Sequence, residues 1–420
     1  MTEIDRIERL KRKMVSIWAW CWTHKGDVRQ QEATRIRDEQ AWNQQTADLQ
    51  ARLLRYTENG SPTLEELEKG PKGAELVWLA VLDRALWGHH LDLAGDRELS
   101  TMVSHEGREW MAFLRHRPLG PTVHQKQAGH IRNHLRHHHI VPSQENGDDV
   151  RVVMPPLSLR QGLKSLVASQ RPVKCYLGSF ADGIQPDWRD RPDGKHTCSQ
   201  LLHLDGRRAS LSQALEEART QEADVVVLPE LSLCPGLRQE VCRWLQNESH
   251  PFCMVVPGSF HERPDLHSGI PVNRTRLLDG KGHEILIHDK MLPMDTGHVH
   301  EVITPGECLH LLNTPLGLVA LAICRDFLEE DQFYRLPWQE IAPDWAFIPS
   351  MTPIQGVRSH EKTANSLVNC CGTRSLVPNQ CPSGTYAEGN SHGFACWPDA
   401  EGKSQSHPIH PSSRLVSILI

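Results

Sequence analysis

The second half of the chain contains short apolar runs that end abruptly at a proline, a glycine or a polar residue. These runs are residues 225–228, 252–256, 318–323 and 345–348. Short runs rich in β-branched residues and bounded in this way predict buried strands. Because such strands are apolar on both faces, they require cover on both sides, which helices usually supply.

Helical periodicity lies between several of the predicted strands. Ser210 and Gln213 have the spacing of a capping box, and the apolar residues that follow recur on one helical face. A second face is formed by Leu237, Val241 and Leu245. Residues 172–420 are therefore predicted to form an α/β domain.

The first half has a different pattern. Residues 4–14 and 76–87 carry apolar side chains at helical spacing, and Thr63 with Glu66 matches a capping box. We therefore predict a mainly helical domain over residues 1–141. A polar stretch rich in turn residues follows it, and residues 142–171 are interpreted as a linker.

Two clusters in the first half leave alternatives open. The tryptophans of residues 17–22 are interpreted as a core or interdomain plug, with a base-stacking surface as the alternative. A histidine-rich segment is interpreted as a solvated, weakly basic helix, with a metal site or phosphate contacts as alternatives. It contains His124, His130, His134, His137, His138 and His139 beside Lys126, Arg132 and Arg136.

Composition excludes several broad classes. The chain has 420 residues and a formal net charge of −6, which argues against a uniformly basic nucleic-acid-coating protein. No apolar run approaches the ~18 residues of a membrane span, and the charged N-terminus shows no signal-peptide core. We expect a cytoplasmic protein without membrane association. Its 12 cysteines are irregularly spaced, contain no C-x-x-C pair and are expected to be reduced thiols.

Three reactive side chains each follow a predicted strand. Glu230, Lys290 and Cys324 would meet at one sheet edge if their strands were neighbours. An adjacent ammonium lowers the pKa of a thiol, and a carboxylate can accept its proton and return it to a leaving amine. The ammonium and a backbone N–H could also stabilise an oxyanion.

The segments around these residues resemble the three motifs of the nitrilase, or carbon–nitrogen hydrolase, superfamily. The resemblance extends over about residues 172–405 and includes residues 223–232, 288–293 and 317–326 in the order of the family. Supporting segments are residues 258–260, 271–274, 344–350, 389–391 and 398–402.

The resemblance implies a four-layer α-β-β-α sandwich, here preceded by the helical N-terminal domain. It also implies a Glu-Lys-Cys triad, with Cys324 as the nucleophile, Glu230 as the general base and Lys290 as the oxyanion and orientation residue. The backbone N–H of Arg325 would complete the oxyanion site. No metal or organic cofactor is implied, because a thiol, a carboxylate and an ammonium suffice for this chemistry. Family members generally form dimers or larger homo-oligomers, so the same is expected here.

Two departures from the family pattern affect these expectations. Glu301 lies closer to its Pro-Gly turn than the assisting glutamate of the family usually does, so it is assigned only an assisting role. The segment from residue 181 to residue 207 is unusually long. It is interpreted as a lid or a partner surface, with a disordered surface loop as the equal alternative.

The expected activity is hydrolysis of a non-peptide carbon–nitrogen bond through a covalent thioester. The sequence Cys324-Arg325-Asp326 resembles the amidase and carbamoylase branches more than the nitrile-hydrolysing branch, so a small-molecule amide is the preferred substrate. The Arg325 side chain could bind a substrate carboxylate or form a structural ion pair. The alternatives are an acyltransferase, or a regulatory module of a multi-component, defence-type assembly in which the helical half binds a protein or nucleic acid.

Overall fold

The computed structural model describes residues 2–68, 74–93, 101–105, 107–115, 135–145, 148–180, 186–190, 195–263, 269–295, 300–328, 338–380, 392–410 and 412–419. The chain divides into two compact units, residues 1–144 and residues 145–420. Within the described part of the chain, no helix is both long enough and apolar enough to cross a membrane.

The N-terminal unit is mainly helical, as the sequence predicted, but it also contains a small sheet. Its elements are α1 (Glu3–Thr23), α2 (Lys25–Arg37), α3 (Glu39–Asn59), α4 (Leu64–Glu68), α5 (Glu75–Leu93), β1 (Thr101–His105), β2 (Arg108–Leu114) and β3 (His138–Pro142). The three strands form an antiparallel sheet in the order β1-β2-β3, which the sequence analysis did not predict.

The histidine-rich segment departs from its prediction where the structure describes it. His138 and His139 are buried residues of β3 and pair with β2, so this end of the segment is not a solvated helix. A helical His spacing cannot reveal that strand pairing will take over the backbone hydrogen bonds. His124, His130 and His134 lie outside the described residues.

The tryptophan cluster belongs to the hydrophobic core of the N-terminal unit. Trp18 is buried among apolar residues of α1, α3 and α5, and Trp20 and Trp22 pack against the same cluster while remaining partly exposed. This placement agrees with the interpretation as core.

The C-terminal unit contains most of the strands and five helices among its described residues. The helices are α6 (Leu157–Ala168), α7 (Leu204–Thr220), α8 (Pro235–Asn247), α9 (Trp338–Ile341) and α10 (Ile354–Cys371). The strands are β4 (Gln144–Glu145), β5 (Asp148–Val153), β6 (Val173–Leu177), β7 (Pro186–Asp190), β8 (His196–Leu201), β9 (Val225–Val227), β10 (Met254–Val256), β11 (Ser259–Glu262), β12 (Val272–Asp279), β13 (Glu284–Asp289), β14 (Cys308–Thr314), β15 (Gly317–Leu321), β16 (Trp345–Phe347), β17 (Arg374–Pro378), β18 (Gly393–Pro398), β19 (Ser404–Pro408) and β20 (Leu415–Ile418).

Two large mixed sheets organise this unit. Over the described residues, the first sheet has the order β11-β12-β10-β9-β6-β20, with β13 paired to β12. The second has the order β19-β18-β17-β16-β15-β14-β5-β4. Strands β6, β9 and β10 run parallel in the first sheet, and β15, β16 and β17 run parallel in the second.

Side-chain alternation along the strands produces the layers. In β9, Val225 and Val227 join a core shared with β15 and β16 of the second sheet, whereas Val226 joins a core shared with α7 and α8. Helix α10 packs against β17, β18 and β19. The four-layer α-β-β-α arrangement is therefore confirmed.

Two boundaries differ from the sequence prediction. Residues 148–168 were included in the predicted linker, but β5 pairs with β14, and α6 buries Leu159, Leu163 and Leu166. Helix α7 begins at Leu204, so the predicted capping residue Ser210 lies inside the helix. A capping-box spacing also occurs by chance within a helix that has started earlier.

Candidate active site

The three predicted reactive residues come from two sheets. Glu230 follows β9 and Lys290 follows β13 in the first sheet, whereas Cys324 follows β15 in the second. The expectation of one shared sheet edge is therefore wrong. The facing ends of two packed sheets bring the side chains together.

Glu230 is a buried carboxylate that receives hydrogen bonds from both sheets. Its Oε1 accepts from Lys290 Nζ at 2.9 Å and from Asn273 Nδ2 at 2.9 Å. Its Oε2 accepts from the backbone N–H of Met351, which follows β16 of the second sheet, at 3.0 Å. Three donors therefore fix the carboxylate.

Lys290 lies between two carboxylates. Its Nζ donates to Glu230 Oε1 at 2.9 Å and to Glu301 Oε2 at 2.7 Å, and its side chain is only 2% exposed. Glu301 also accepts from His261 Nε2 at 2.8 Å, Asn273 Nδ2 at 3.0 Å and the backbone N–H of Met294 at 2.8 Å. Glu301, assigned only an assisting role from the sequence, is in direct contact with Lys290.

Cys324 occupies a tight turn between β15 and a short 3₁₀ segment, Cys324–Phe327. Its φ of +46° is unusual for a residue with a side chain, and such left-handed positions concentrate at functional sites. Its backbone N–H donates to the Pro349 carbonyl at 2.9 Å, and its carbonyl oxygen lies 2.9 Å from His360 Nε2. Hydrogen bonds on both sides hold the Cys324 backbone in this conformation.

Asp326 connects the cysteine turn to the lysine segment. Its Oδ1 accepts from the backbone N–H groups of Met291 at 3.1 Å and Leu292 at 2.8 Å. Its Oδ2 accepts from Ile323 N–H at 3.3 Å and lies 3.0 Å from His288 Nε2. Asp326 is fully buried, so it fixes the spacing between Lys290 and Cys324 rather than facing a ligand.

A glycine permits the close approach that places Glu230. Gly258 has a φ of +71°, and a Cβ there would overlap the Pro229 carbonyl oxygen and the Ser232 Oγ. Any larger residue would push away the turn that carries Glu230.

Burial and the neighbouring charges shift the pKa values of these groups in different directions. Burial raises the pKa of Glu230, an effect that Lys290 opposes and Glu301 reinforces. Burial also disfavours a charged Glu301, but Lys290 and His261 together hold its pKa below the usual value. Burial alone would lower the pKa of Lys290, yet Glu230 and Glu301 keep it well above normal.

The environment of Cys324 favours its protonated thiol form. Burial and the nearby Glu230 carboxylate raise the pKa of Cys324 to about 12, although Lys290 acts in the opposite direction. The sequence predicted that the ammonium would lower this pKa. In the structure, desolvation by burial outweighs the effect of Lys290.

Arg325 has a structural contact. Its Nη1 donates to the Pro293 carbonyl at 3.1 Å, which connects the cysteine turn to the segment after Lys290. Among the described residues, no group of three or more His, Cys, Asp or Glu side chains is arranged to hold a metal ion.

Three site residues were missed from the sequence. Asn273 lies in residues 271–274, which resemble the family, but was assigned no role, and no role was predicted for His261 or His360. A polar residue at an inward-facing position of a buried strand was the available signal for Asn273 and His261, which lie in β12 and β11. No local signal could identify His360, because its contact with Cys324 depends on how α10 packs.

Comparison with known families agrees with the resemblance seen in the sequence. Residues 197–332 match the model of the family described as carbon-nitrogen hydrolase. No curated protein sequence gives a significant match to this chain.

Solved structures with a similar fold include an amidase from Nesterenkonia sp., which is 14% identical, with 60% of this chain and 91% of that chain covered and a TM-score of 0.42. A carbon-nitrogen hydrolase from Helicobacter pylori G27 is 15% identical, with coverages of 59% and 88% and a TM-score of 0.40. A glutamine-dependent NAD+ synthetase from Acinetobacter baumannii is 13% identical, with coverages of 60% and 48% and a TM-score of 0.41.

Proposed function

We propose that the protein hydrolyses a small-molecule amide or carbamoyl compound through a thioester on Cys324. The premise is that the C-terminal unit belongs to the carbon–nitrogen hydrolase family, whose model matches residues 197–332. The observation that carries this proposal is the buried cluster in which Lys290 contacts both Glu230 and Glu301 beside the Cys324 turn. Burying an ammonium and two carboxylates has a desolvation cost that can offset their mutual attraction. Such clusters with shifted pKa values are concentrated at functional sites.

Glu230 is the proposed general base. As Sγ of Cys324 attacks the amide carbon, the S–C bond forms and the thiol proton moves to Glu230. A raised pKa improves Glu230 as the proton acceptor. The negative charge that develops on the carbonyl oxygen is stabilised by Lys290 and by the backbone N–H of Arg325.

The second half of the reaction returns the proton. The C–N bond breaks, the leaving amine takes the proton from Glu230, and a thioester remains on Cys324. Water then attacks the thioester while Glu230 accepts its proton. The C–S bond breaks, the sulfur recovers a proton, and a carboxylic acid is released.

Measured turnover tests this proposal. Purified full-length protein is offered small primary amides, N-carbamoyl amino acids and nitriles, and ammonia release is followed together with the mass of the Cys324 peptide. We expect turnover of an amide or carbamoyl compound and a thioester adduct on Cys324. Cys324→Ala should reduce the rate by at least ~10⁴-fold.

Cys253→Ala is the matched control, because Cys253 is a partly buried cysteine outside the cluster. It should retain wild-type turnover. Comparison of metabolites between wild-type and Cys324→Ala cells would identify the substrate as an amide that accumulates only in the variant. A folded protein whose Cys324 resists both acylation and thiol reagents would instead favour the regulatory module.

A further inference from the structure

The long segment between β6 and α7 supplies a hairpin that joins the candidate active site. Strands β7 and β8 pair antiparallel. The backbone N–H of His196 in β8 donates to the His300 carbonyl at 2.8 Å, and the N–H of Val302 donates to the His196 carbonyl at 2.9 Å. The hairpin therefore holds the backbone on both sides of Glu301.

A side-chain link reaches the carboxylate itself. The backbone N–H of Cys198 in β8 donates to His261 Nδ1 at 2.9 Å, and His261 Nε2 lies 2.8 Å from Glu301 Oε1. The His261 and Glu301 side chains are 0% and 1% exposed. Trp188 of β7 packs its ring edge against His261, with centroids 5.9 Å apart.

The Cys198 contact determines which nitrogen of the imidazole donates to Glu301. Because Nδ1 accepts the backbone N–H of Cys198, it must carry a lone pair, and the ring N–H is therefore on Nε2. The hairpin thereby directs the His261 N–H at Glu301.

This donor distinguishes two carboxylates that share two side-chain donors. Glu230 and Glu301 both accept from Lys290 Nζ and Asn273 Nδ2. Among the described residues, an imidazole donates to Glu301 and none donates to Glu230. A hydrogen bond to the ionised form of an acid favours that form.

We propose that His261, oriented by the β7–β8 hairpin, is a positioning residue that keeps Glu301 ionised, so that Glu230 is the carboxylate that carries the proton. The inserted hairpin is then part of the catalytic apparatus rather than a surface loop. This inference rests on the proposed function. The titratable groups around Glu301 are Lys290, Glu230, His261 and the Cys198 thiol.

Acylation of Cys324 by p-nitrophenyl acetate provides the test, with full-length wild type, His261→Phe and His261→Gln compared from acid to alkaline pH. Phe keeps a ring against Trp188 but has no donor, whereas Gln restores an N–H. Without the donor, Glu301 takes up a proton at higher pH. We expect His261→Phe to move the acid limb of the rate profile upward by about one pH unit and to slow acylation about tenfold below that limb. His261→Gln should restore most of both.

His283→Phe is the control, because His283 also contacts a carboxylate, Asp279, but its side chain is 64% exposed. Its profile should match wild type. The inference is overturned if folded His261→Phe keeps the wild-type profile, or if His261→Gln behaves like His261→Phe at equal thermal stability. Wild-type Cys324 that fails to acylate would contradict the proposed function itself.

Discussion

Each unit of the chain buries a carboxylate beside a histidine, but the two carboxylates are satisfied in different ways. In the N-terminal unit, Asp83 lies on α5 and His138 on β3, with Asp83 Oδ1 2.9 Å from His138 Nδ1. In the C-terminal unit, Glu301 lies 2.8 Å from His261 Nε2. The pairs look alike in isolation, and their remaining donors set them apart.

Asp83 is surrounded by backbone donors. It accepts from the N–H groups of Arg136, His137 and His138 at 2.7 to 3.1 Å. These bonds connect α5 to the chain entering β3 and hold the carboxylate in place. Such an arrangement is typical of a structural connection.

Glu301 is surrounded mainly by side-chain donors, one of them an ammonium. Lys290, Asn273 and His261 supply three of its hydrogen bonds, and one comes from the backbone. Side chains can redistribute hydrogen bonds when charge moves, which backbone groups cannot do without breaking the fold. We therefore expect replacement of Asp83 to affect stability alone and replacement of Glu301 to affect turnover as well.

Replacing Asp83 should have the largest effect on stability. Asp83→Asn puts an amide N–H₂ opposite backbone N–H groups, so we expect a loss of about 3 kcal/mol in the free energy of unfolding. Urea titration with a fluorescence readout from the N-terminal tryptophans would measure it. Acylation of Cys324 in the folded fraction should remain unchanged, and a parallel fall in acylation would contradict the distinction.

Replacing Glu301 should lower turnover as well as stability. Glu301→Gln removes one of the two charges that hold Lys290, and we expect kcat/KM to fall about 100-fold, or about 2.7 kcal/mol in the transition state. The effect is measured on whichever amide or carbamoyl compound the wild-type protein turns over. A change in stability without a change in turnover would show that Glu301, like Asp83, has only a structural role.

The same variant makes a prediction about pH. Lys290 and His261 keep the pKa of Glu301 below its ordinary value of 4.5 despite burial. A lowered folded pKa stabilises the protein above the unfolded value and loses that contribution as the pH falls toward the folded value. The stability difference between wild type and Glu301→Gln should therefore be greatest near neutral pH and shrink in acid, which urea titrations at several pH values would reveal.

How much of this was available from the sequence depended on whether the signal was local. Strands β9, β10, β15 and β16 were predicted because a buried strand is a short apolar run with abrupt ends. Their assignment to two different sheets was not, because no local pattern says which strands become neighbours. The β1-β2-β3 sheet was not predicted for the same reason. The start of α7 was predicted at the wrong residue because a capping-box spacing also occurs by chance inside a helix.

The site residues could likewise be predicted only where their signal was local. Glu230, Lys290 and Cys324 were selected because each follows its strand within a motif, and the structure brings them together, while their catalytic roles remain predictions. The inward-facing position of His261 in β11 was the available signal, but its contact with Cys198, 63 residues away along the chain, could not be predicted. A hydrogen bond between distant segments leaves no periodic trace in a sequence.

Asp326 tests the distinction within the C-terminal unit. It lies two residues after Cys324 but accepts from three backbone N–H groups, so it should behave like Asp83. Asp326→Asn keeps one acceptor oxygen and should reduce the free energy of unfolding by about 2 kcal/mol. Thermal and urea denaturation measure this loss. A normal melting curve with lost acylation would instead assign Asp326 a direct chemical role.

Arg171 provides the smallest expected effect. Its guanidinium donates to buried Asp224 at 2.7 and 2.6 Å, yet its own side chain is 43% exposed, and the backbone N–H of Lys174 also satisfies that carboxylate at 2.9 Å. Solvent screens the arginine, so Arg171→Met should reduce the free energy of unfolding by only about 1 kcal/mol, and less at high salt. Urea titration at two salt concentrations checks both statements. A loss as large as that of Asp83→Asn would show that a partly exposed charged donor can hold a buried carboxylate as firmly as backbone donors do.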